Sequence, residues 1–179
     1  MAVSMLCAAQ TKPGADITSV ATSGTVSGNR YVNSFFGVTI EAPEATFQLN
    51  PLLNSGGQRA RLLQVLSKRG DWADTFTLAV LADSLRNYPT LQSPERYVRS
   101  VRHQLEREGL STVREDFPIT ISGVQFAGVV VQEQAASGRK YYRGTFATFR
   151  QGYVLSLDVE AASPEQLNVL VSRLVTFGK

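Results

Sequence analysis

Alternating apolar and polar positions are clearest in residues 123–160, where three strand-like runs are separated by two short connections. The last run alternates strictly and places Ser156 and Asp158 on the face opposite its apolar side chains. Branched and aromatic residues suit a pleated strand, and short connections join antiparallel neighbours. The pattern therefore predicts a three-stranded meander, with strands at Val124–Glu133, Arg139–Phe149 and Tyr153–Val159.

Two helices are predicted from the same tripeptide, Ser-Pro-Glu, at residues 93–95 and 163–165. Each copy puts a hydroxyl at the N-cap, proline at the first helical position and a carboxylate in the first turn. Apolar side chains then recur at helical spacing over Pro94–Glu108 and Pro164–Leu174. The predicted core-facing positions are Tyr97, Val98, Val101 and Leu105 in the first helix, and Leu167, Leu170, Val171 and Leu174 in the second.

The remaining elements follow from shorter patterns. Extended segments are predicted at residues 31–34, 35–40, 75–82, 112–115 and 119–121, and residues 44–57 are predicted to be mostly loop. Residues 58–69 fit either a helix ended by Gly70 or a buried strand over Ala60–Ser67, because periodicity does not separate short apolar runs. The order predicts an α+β fold, an antiparallel β-sheet covered on both faces and flanked by helices.

The chain resembles the PsbP-like family over about Arg30 to Phe177, on the segments Tyr31-Val32-Asn33, Phe36-Gly37-Val38 and the closing Leu174-Val175-Thr176-Phe177. It departs from bacterial relatives in having no tryptophan shortly after Pro43. The resemblance implies an α/β/α sandwich and favours the strand at Ala60–Ser67. It leaves function open, because the family includes photosystem subunits, GTPase binders, secretion chaperones and uncharacterised exported bacterial proteins.

Composition narrows the function classes. With 179 residues, 43% hydrophobic and 18% charged, the chain has the make-up of a single globular domain. The net charge of +3 is too small and too dispersed to predict nucleic-acid binding. One cysteine excludes an internal disulfide framework, and no apolar run approaches the length of a transmembrane helix.

The first 29 residues predict a region outside the folded domain. Nine of residues 1–10 are apolar or small, and Cys7-Ala8-Ala9 fits the tail of a secretory signal, although a basic start is lacking. Residues 11–29 contain no aromatic residue and predict a flexible lead-in, so that order begins near Arg30. We therefore expect one domain over residues 30–179 and a periplasmic or extracellular location.

Candidate catalytic groups are few. His103 falls on the polar face of its helix, which predicts a solvated side chain without a second histidine or suitable cysteine for a metal. The carboxylate pairs are Asp71 with Asp74, Glu115 with Asp116, and Asp158 with Glu160, the last pair about 7 Å apart on one strand face. No phosphate loop, nucleophile elbow or zinc motif is present. We predict no cofactor and no catalytic residue.

Binding surfaces are better supported than catalysis. Basic residues recur on the first helix and on the central strand of the meander, and Trp72 is the single tryptophan, a candidate interface anchor. Interleaved glutamates, with Arg102 and Glu106 at helical spacing, also fit an ordinary solvated face. The candidate binding residues are Trp72, Arg99, Arg102, Arg139, Lys140 and Arg143.

The predicted function is a non-enzymatic, exported binding or scaffold module whose partner is a protein. A chaperone or adaptor that holds a hydrophobic client segment is the alternative, and it requires an exposed apolar groove. A carboxylate-based hydrolase is the third hypothesis, and it requires two carboxylates that converge in a pocket.

Overall fold

A computed structural model describes residues 19–20, 23–49, 59–67, 75–135 and 137–178. The elements bounded within the described part of the chain are two α-helices, α1 and α2, a short 3₁₀ helix over Leu85–Asn87, and eleven strands. The helices are α1 Pro94–Arg107 and α2 Pro164–Leu174. The strands are β1 Gly24–Ser27, β2 Arg30–Asn33, β3 Val38–Glu41, β4 Ala45–Gln48, β5 Arg59–Ser67, β6 Phe76–Ser84, β7 Ser111–Ile121, β8 Val124–Gln134, β9 Lys140–Arg150, β10 Tyr153–Ala161 and β11 Val175–Phe177.

The strands form two antiparallel sheets. The larger sheet has seven strands in the order β4-β5-β6-β10-β9-β8-β7, and the smaller has four in the order β1-β2-β3-β11. The predicted meander is confirmed, because β8, β9 and β10 are antiparallel neighbours joined by tight turns. The α+β class with antiparallel sheets is thus confirmed, with strand as the predominant structure.

Each face of the seven-stranded sheet has its own apolar core. On one face, α1 packs Tyr97, Val98 and Leu105 against apolar side chains of β8, β9 and β10. On the other face, the buried side of α2 and the small sheet cover a larger core that includes Leu155 and Leu157. The prediction of flanking helices is therefore too simple, because a second sheet shares the cover of one face with α2.

The helix caps follow the sequence prediction. The Ser93 hydroxyl accepts a hydrogen bond from the backbone N–H of Arg96, and the Ser163 hydroxyl accepts one from Gln166. Gln166 also accepts a hydrogen bond from the backbone N–H of Ala162, one residue before the cap. These contacts satisfy N–H groups that have no partner inside the helix.

The strand interpretation of residues 60–67 is correct, and the helix alternative is wrong. A β-bulge between Arg61 and Leu63 shifts the register of β5 against β6. Leu62 and Leu63 are therefore both buried, which breaks simple alternation and produces a pattern that resembles helical spacing. The bulge is the physical reason that periodicity left this segment ambiguous.

The prediction that order begins near Arg30 is wrong, because Gly24–Ser27 form β1 and pair with β2. Gly24 packs directly on the Tyr31 ring, so that an added Cβ would lie 2.4 Å from the Tyr31 hydroxyl oxygen. Val20 is fully buried as well. The glycine that suggested flexibility in the sequence is needed here for close packing.

Two further segments differ from their predictions. Ala45–Gln48 form β4 where loop was predicted, and residues 50–58 lie outside the described part of the chain. Residues 112–115 and 119–121 belong to one strand, β7, whose register against β8 shifts twice. Those irregularities explain why the sequence suggested two separate extended pieces.

Candidate functional site

The predicted basic residues of α1 are bound to acids of the edge strand β7. Arg99 Nε lies 2.9 Å from Asp116 Oδ2, and Arg102 Nη1 lies 3.0 Å from Glu115 Oε2. The ion pair of Arg102 is thus with β7, although its charge still helps to lower the pKa of Glu106. Glu106 itself accepts a hydrogen bond from the Thr112 hydroxyl and lies beside His103, whose side chain is exposed.

The predicted basic residues of β9 lie elsewhere. Arg139 and Lys140 are exposed at the turn between β8 and β9. Arg143 projects toward β10, whereas Arg99 and Arg102 reach β7 on the other side of β8 and β9. Trp72, Asp71 and Asp74 lie outside the described residues. The fold therefore distributes the predicted basic residues over two regions of the surface.

A cavity of about 480 Å³ opens on the α1 face of the large sheet, over β5, β6 and β10. We call it the sheet-face cavity. Its lining is mostly polar, although two small or aliphatic side chains form part of its floor. The lining residues are Arg59, Arg61, Gln64, Thr77, Ala79, Leu81, Arg143, Asp158 and Glu160.

The register of the strands explains where the cavity lies. Ala79 pairs with Gln64 on one side and with Asp158 on the other. A residue with no side chain beyond Cβ between two longer polar ones leaves a depression in the sheet face. Helix α1 packs over β7, β8 and β9, and the residues left uncovered on β5, β6 and β10 are largely polar.

A buried polar network borders the cavity. The carboxylate of Asp83, which is 2% exposed, accepts a hydrogen bond of 3.0 Å from the Tyr97 hydroxyl. Arg59 Nε lies 3.4 Å from the same carboxylate oxygen. Burial raises the pKa of Asp83, and Arg59 and the Tyr97 hydrogen bond oppose that rise. The network fixes α1 to β6 at the margin of the cavity.

Glu160 is held by an ion pair at one end of the cavity. Arg143 donates from Nε at 3.0 Å and from Nη2 at 2.6 Å, both to Glu160 Oε1. The other carboxylate oxygen of Glu160 accepts a hydrogen bond of 3.3 Å from the Thr77 hydroxyl. Both carboxylate oxygens of Glu160 thus accept hydrogen bonds from within the protein.

Asp158 is in a different state from Glu160, although they lie two residues apart on the same strand face. Its Oδ1 atom is shielded from solvent and has no hydrogen-bond partner among the described residues. Burial raises the pKa of Asp158, and the Thr145 hydroxyl, Arg59 and Arg143 oppose the rise. An unsatisfied buried oxygen costs about 1–3 kcal/mol, so its retention beside a cavity is a sign of function.

A second side chain on β10, that of Ser156, also has an unsatisfied polar atom in the described part of the chain. Ser156 is fully buried on the same strand face as Asp158, and its hydroxyl also has no hydrogen-bond partner among the described residues. Sequence reasoning noted that Ser156 and Asp158 share a face, but it did not identify Arg59, Arg61, Gln64 or Ala79. Strand alternation on β5 was the available signal, and the bulge obscured it.

A second groove, of about 630 Å³, lies between α2 and the segment that joins β3 to β4. It combines apolar side chains such as Val169 and Leu170 with the charged residues Glu41, Glu44 and Arg173. Neither described helix has the length and apolar character required to cross a membrane. No three histidine, cysteine or acidic side chains in the described ranges are grouped as a metal site.

Comparison with known proteins shows a related fold and no family. No protein-family model matches the chain, and no curated protein sequence matches it. The crystal structure of LpqN, which is involved in cell envelope biogenesis of Mycobacterium tuberculosis, aligns with a TM-score of 0.52 at 12% sequence identity. That alignment covers 94% of this chain and 100% of LpqN. At this identity the likeness shows the fold alone.

A structure from Bacteroides thetaiotaomicron also aligns, with a TM-score of 0.47 and 10% identity, over 86% of this chain. The chain spans about half of that protein, since 50% of its length is covered. The alignment with LpqN therefore shows that the two proteins are similar in fold.

Proposed function

We propose that this protein is an exported, non-enzymatic binding module that takes up a polar ligand in the sheet-face cavity. The observation that carries the proposal is Asp158, whose shielded Oδ1 is unsatisfied beside a cavity lined by three arginines. Most buried polar atoms in native proteins have a partner, so a shielded carboxylate oxygen beside a polar cavity is a candidate contact for a ligand. The χ2 torsion of aspartate is broad, so a small rotation of the carboxylate presents this oxygen to a ligand.

Cavity blocking tests the proposal. Ala79→Leu places a larger side chain between Gln64 and Asp158, in the depression itself. We expect wild-type protein, incubated with a small-molecule extract of the native envelope fraction, to retain a bound mass in native mass spectrometry. Ala79→Leu should lose it, and Ala162→Leu, a matched change at a half-buried alanine outside the cavity lining, should keep it. Equal retention by both variants would contradict the proposal.

Export and a relationship to the PsbP-like family are part of the proposal. The signal-like first ten residues and the fold similarity to LpqN, which is involved in cell envelope biogenesis, support export. The arrangement of an antiparallel sheet with helices on both faces supports the PsbP-like relationship. Intact-mass analysis of the native protein tests export, because a cytosolic species that still begins at Met1 would contradict it.

A protein partner also stays a prediction, and cross-linking with affinity purification and mass spectrometry from the native host tests it. The chaperone alternative needs a continuous apolar groove. The large apolar side chains that are exposed in the described part of the chain lie on separate elements, which weighs against that alternative. They are Leu49, Tyr88, Val113 and Val169.

The hydrolase hypothesis has one observation in its favour, since Asp158 and Glu160 both line the sheet-face cavity. Their environments differ in the way that acid–base pairs require, with one carboxyl destabilised as an anion and the other ion-paired. Arg143 and Thr77 occupy both oxygens of Glu160, however, and leave it poorly placed to activate water. We therefore rank binding above hydrolysis.

A further inference from the structure

The charges around the sheet-face cavity are unevenly paired. Arg143 is matched by Glu160, and Arg59 is matched by Asp83. Arg61 is hydrogen-bonded to the neutral amide oxygen of Gln64 at 2.5 Å and has no carboxylate partner among the described residues. Among the described residues of the cavity lining, Arg61 and Asp158 are the cation and the acid that form no ion pair, although Arg59 and Arg143 act on Asp158 at longer range.

The sheet prevents these two groups from neutralising each other. Arg61 lies on β5 and Asp158 on β10, with β6 between them. Neighbouring strands are about 4.8 Å apart, so the two backbones are separated by roughly 10 Å across the sheet. Arg61 is aligned with Leu81, and Asp158 is aligned with Ala79, two residues along β6. That diagonal offset adds about 7 Å along the strand direction.

Between the two groups, the floor of the cavity is formed by Ala79 and Leu81. An arginine side chain extends across such a floor more easily than aspartate does, because its stem is long and apolar. The remaining gap suits a small molecule that carries a positive and a negative group close together. An isolated anion would leave Asp158 unmatched, and an isolated cation would face three guanidinium groups.

We infer that the sheet-face cavity binds a small zwitterion of the α-amino acid type, with its carboxylate on Arg61 and its ammonium group on Asp158. The inference rests on the proposed function and names the ligand class for that site. Arginine forms paired hydrogen bonds with a carboxylate, and an ammonium group supplies the donors that Asp158 Oδ1 lacks. Ala79 and Leu81 are left to contact the aliphatic part of the ligand.

Blocked ligands separate the two contacts. Isothermal titration of the full chain with free α-amino acids should give at least one ligand of measurable affinity. The N-acetyl derivative of that ligand lacks the cation, the carboxamide derivative lacks the anion, and each should bind at least tenfold more weakly. Equal affinity for free and blocked forms would overturn the inference.

Protein variants test which residue binds the carboxylate of the ligand and which binds its ammonium group. Arg61→Gln should bind the free amino acid and its carboxamide with similar affinity, because the carboxylate contact is lost. Asp158→Asn should bind the free amino acid and its N-acetyl form with similar affinity. Ala79→Leu should bind neither form. A uniform loss in all variants, without a change in preference between ligands, would contradict the assignment.

The outcome also distinguishes this inference from the proposed function. If no amino acid binds while wild-type protein still retains a mass from the extract that Ala79→Leu loses, the ligand class is wrong and the binding site stands. If neither amino acids nor extract components bind, both the ligand class and the binding site are wrong.

Discussion

At the scale of single residues, the Asp158 carboxyl group lies in an environment that disfavours its charged form. Asp158 has a raised pKa because of burial, and one of its oxygens lacks a hydrogen-bond partner within the described residues. Binding sites commonly retain groups that lower the stability of the free protein. We therefore expect the Asp158 carboxylate to lower the stability of the ligand-free protein, and the proposed ligand to offset this loss.

The unfavourable environment of the Asp158 carboxylate predicts that Asp158→Asn stabilises the protein at neutral pH. The folded state binds the Asp158 proton more tightly than the unfolded state, so the free energy of unfolding falls as pH rises from the unfolded pKa, about 3.9, through the raised folded pKa. Asp158→Asn should raise the free energy of unfolding at pH 7, on the order of 1 kcal/mol, and give no gain at pH 3. Urea unfolding at the two pH values measures the difference, and a loss of stability at pH 7 would contradict it.

Removal of the Tyr97 hydroxyl, in contrast, is predicted to destabilise the protein. Its hydroxyl donates to the buried carboxylate of Asp83, so Tyr97→Phe leaves that acceptor short of a partner. We expect a loss of about 1–3 kcal/mol in the free energy of unfolding. Tyr88→Phe is the matched control, since Tyr88 is 39% exposed and loss of its hydroxyl should change stability by less than about 0.5 kcal/mol. Equal effects of the two changes would show that the hydrogen bond to Asp83 contributes little.

At the scale of elements, the strand β1 combines its pairing with β2 with one very close contact, between Gly24 and the Tyr31 ring. Gly24→Ala would place its Cβ 2.4 Å from the Tyr31 hydroxyl oxygen and 2.5 Å from a ring carbon. Either the ring or the strand must move, at a cost of roughly 1–3 kcal/mol. Hydrogen exchange should show faster exchange at Gly24–Ser27 in this variant and unchanged exchange in Thr25→Ala, which alters an exposed side chain of the same strand. Unchanged protection in Gly24→Ala would mean that β1 tolerates the extra atom.

The sequence was informative for elements whose signals are local. The helix caps at Ser93 and Ser163 and the alternation of Tyr153–Val159 predicted α1, α2 and the meander, because each is encoded by neighbouring residues. The strand β1 was missed because its glycine packs on a residue of the next strand. The bulge in β5 hid a strand because it changes the phase of burial by one residue.

The candidate site could not be predicted in the same way. The cavity depends on Arg61, Ala79 and Asp158, which lie far apart in the sequence and become neighbours only through the register of β5, β6 and β10. Local patterns did identify Asp158, Glu160 and Arg143 as candidates, but not that Arg143 and Glu160 pair with each other. Which charges remain unmatched is a property of the whole sheet.

At the scale of the whole molecule, the two faces of the large sheet have different roles. One is closed by α2 and the small sheet over an apolar core. The other is closed by α1 over β7, β8 and β9 and is open and polar over β5, β6 and β10. The network of Asp83, Tyr97 and Arg59 lies at the boundary between the covered and open parts. This asymmetry is the basis for proposing a binding module.

Chemical-shift mapping tests the central claim most directly. Isotope-labelled wild-type protein is titrated with the bound component recovered from the native envelope extract, and backbone amide shifts are followed. If the ligand binds in the sheet-face cavity, the perturbed amides should cluster on β5, β6 and β10 around Ala79 and Asp158, and Ala79→Leu should abolish the perturbations. Perturbations that cluster instead at the groove beside Val169 and Leu170, or that persist in Ala79→Leu, would contradict it.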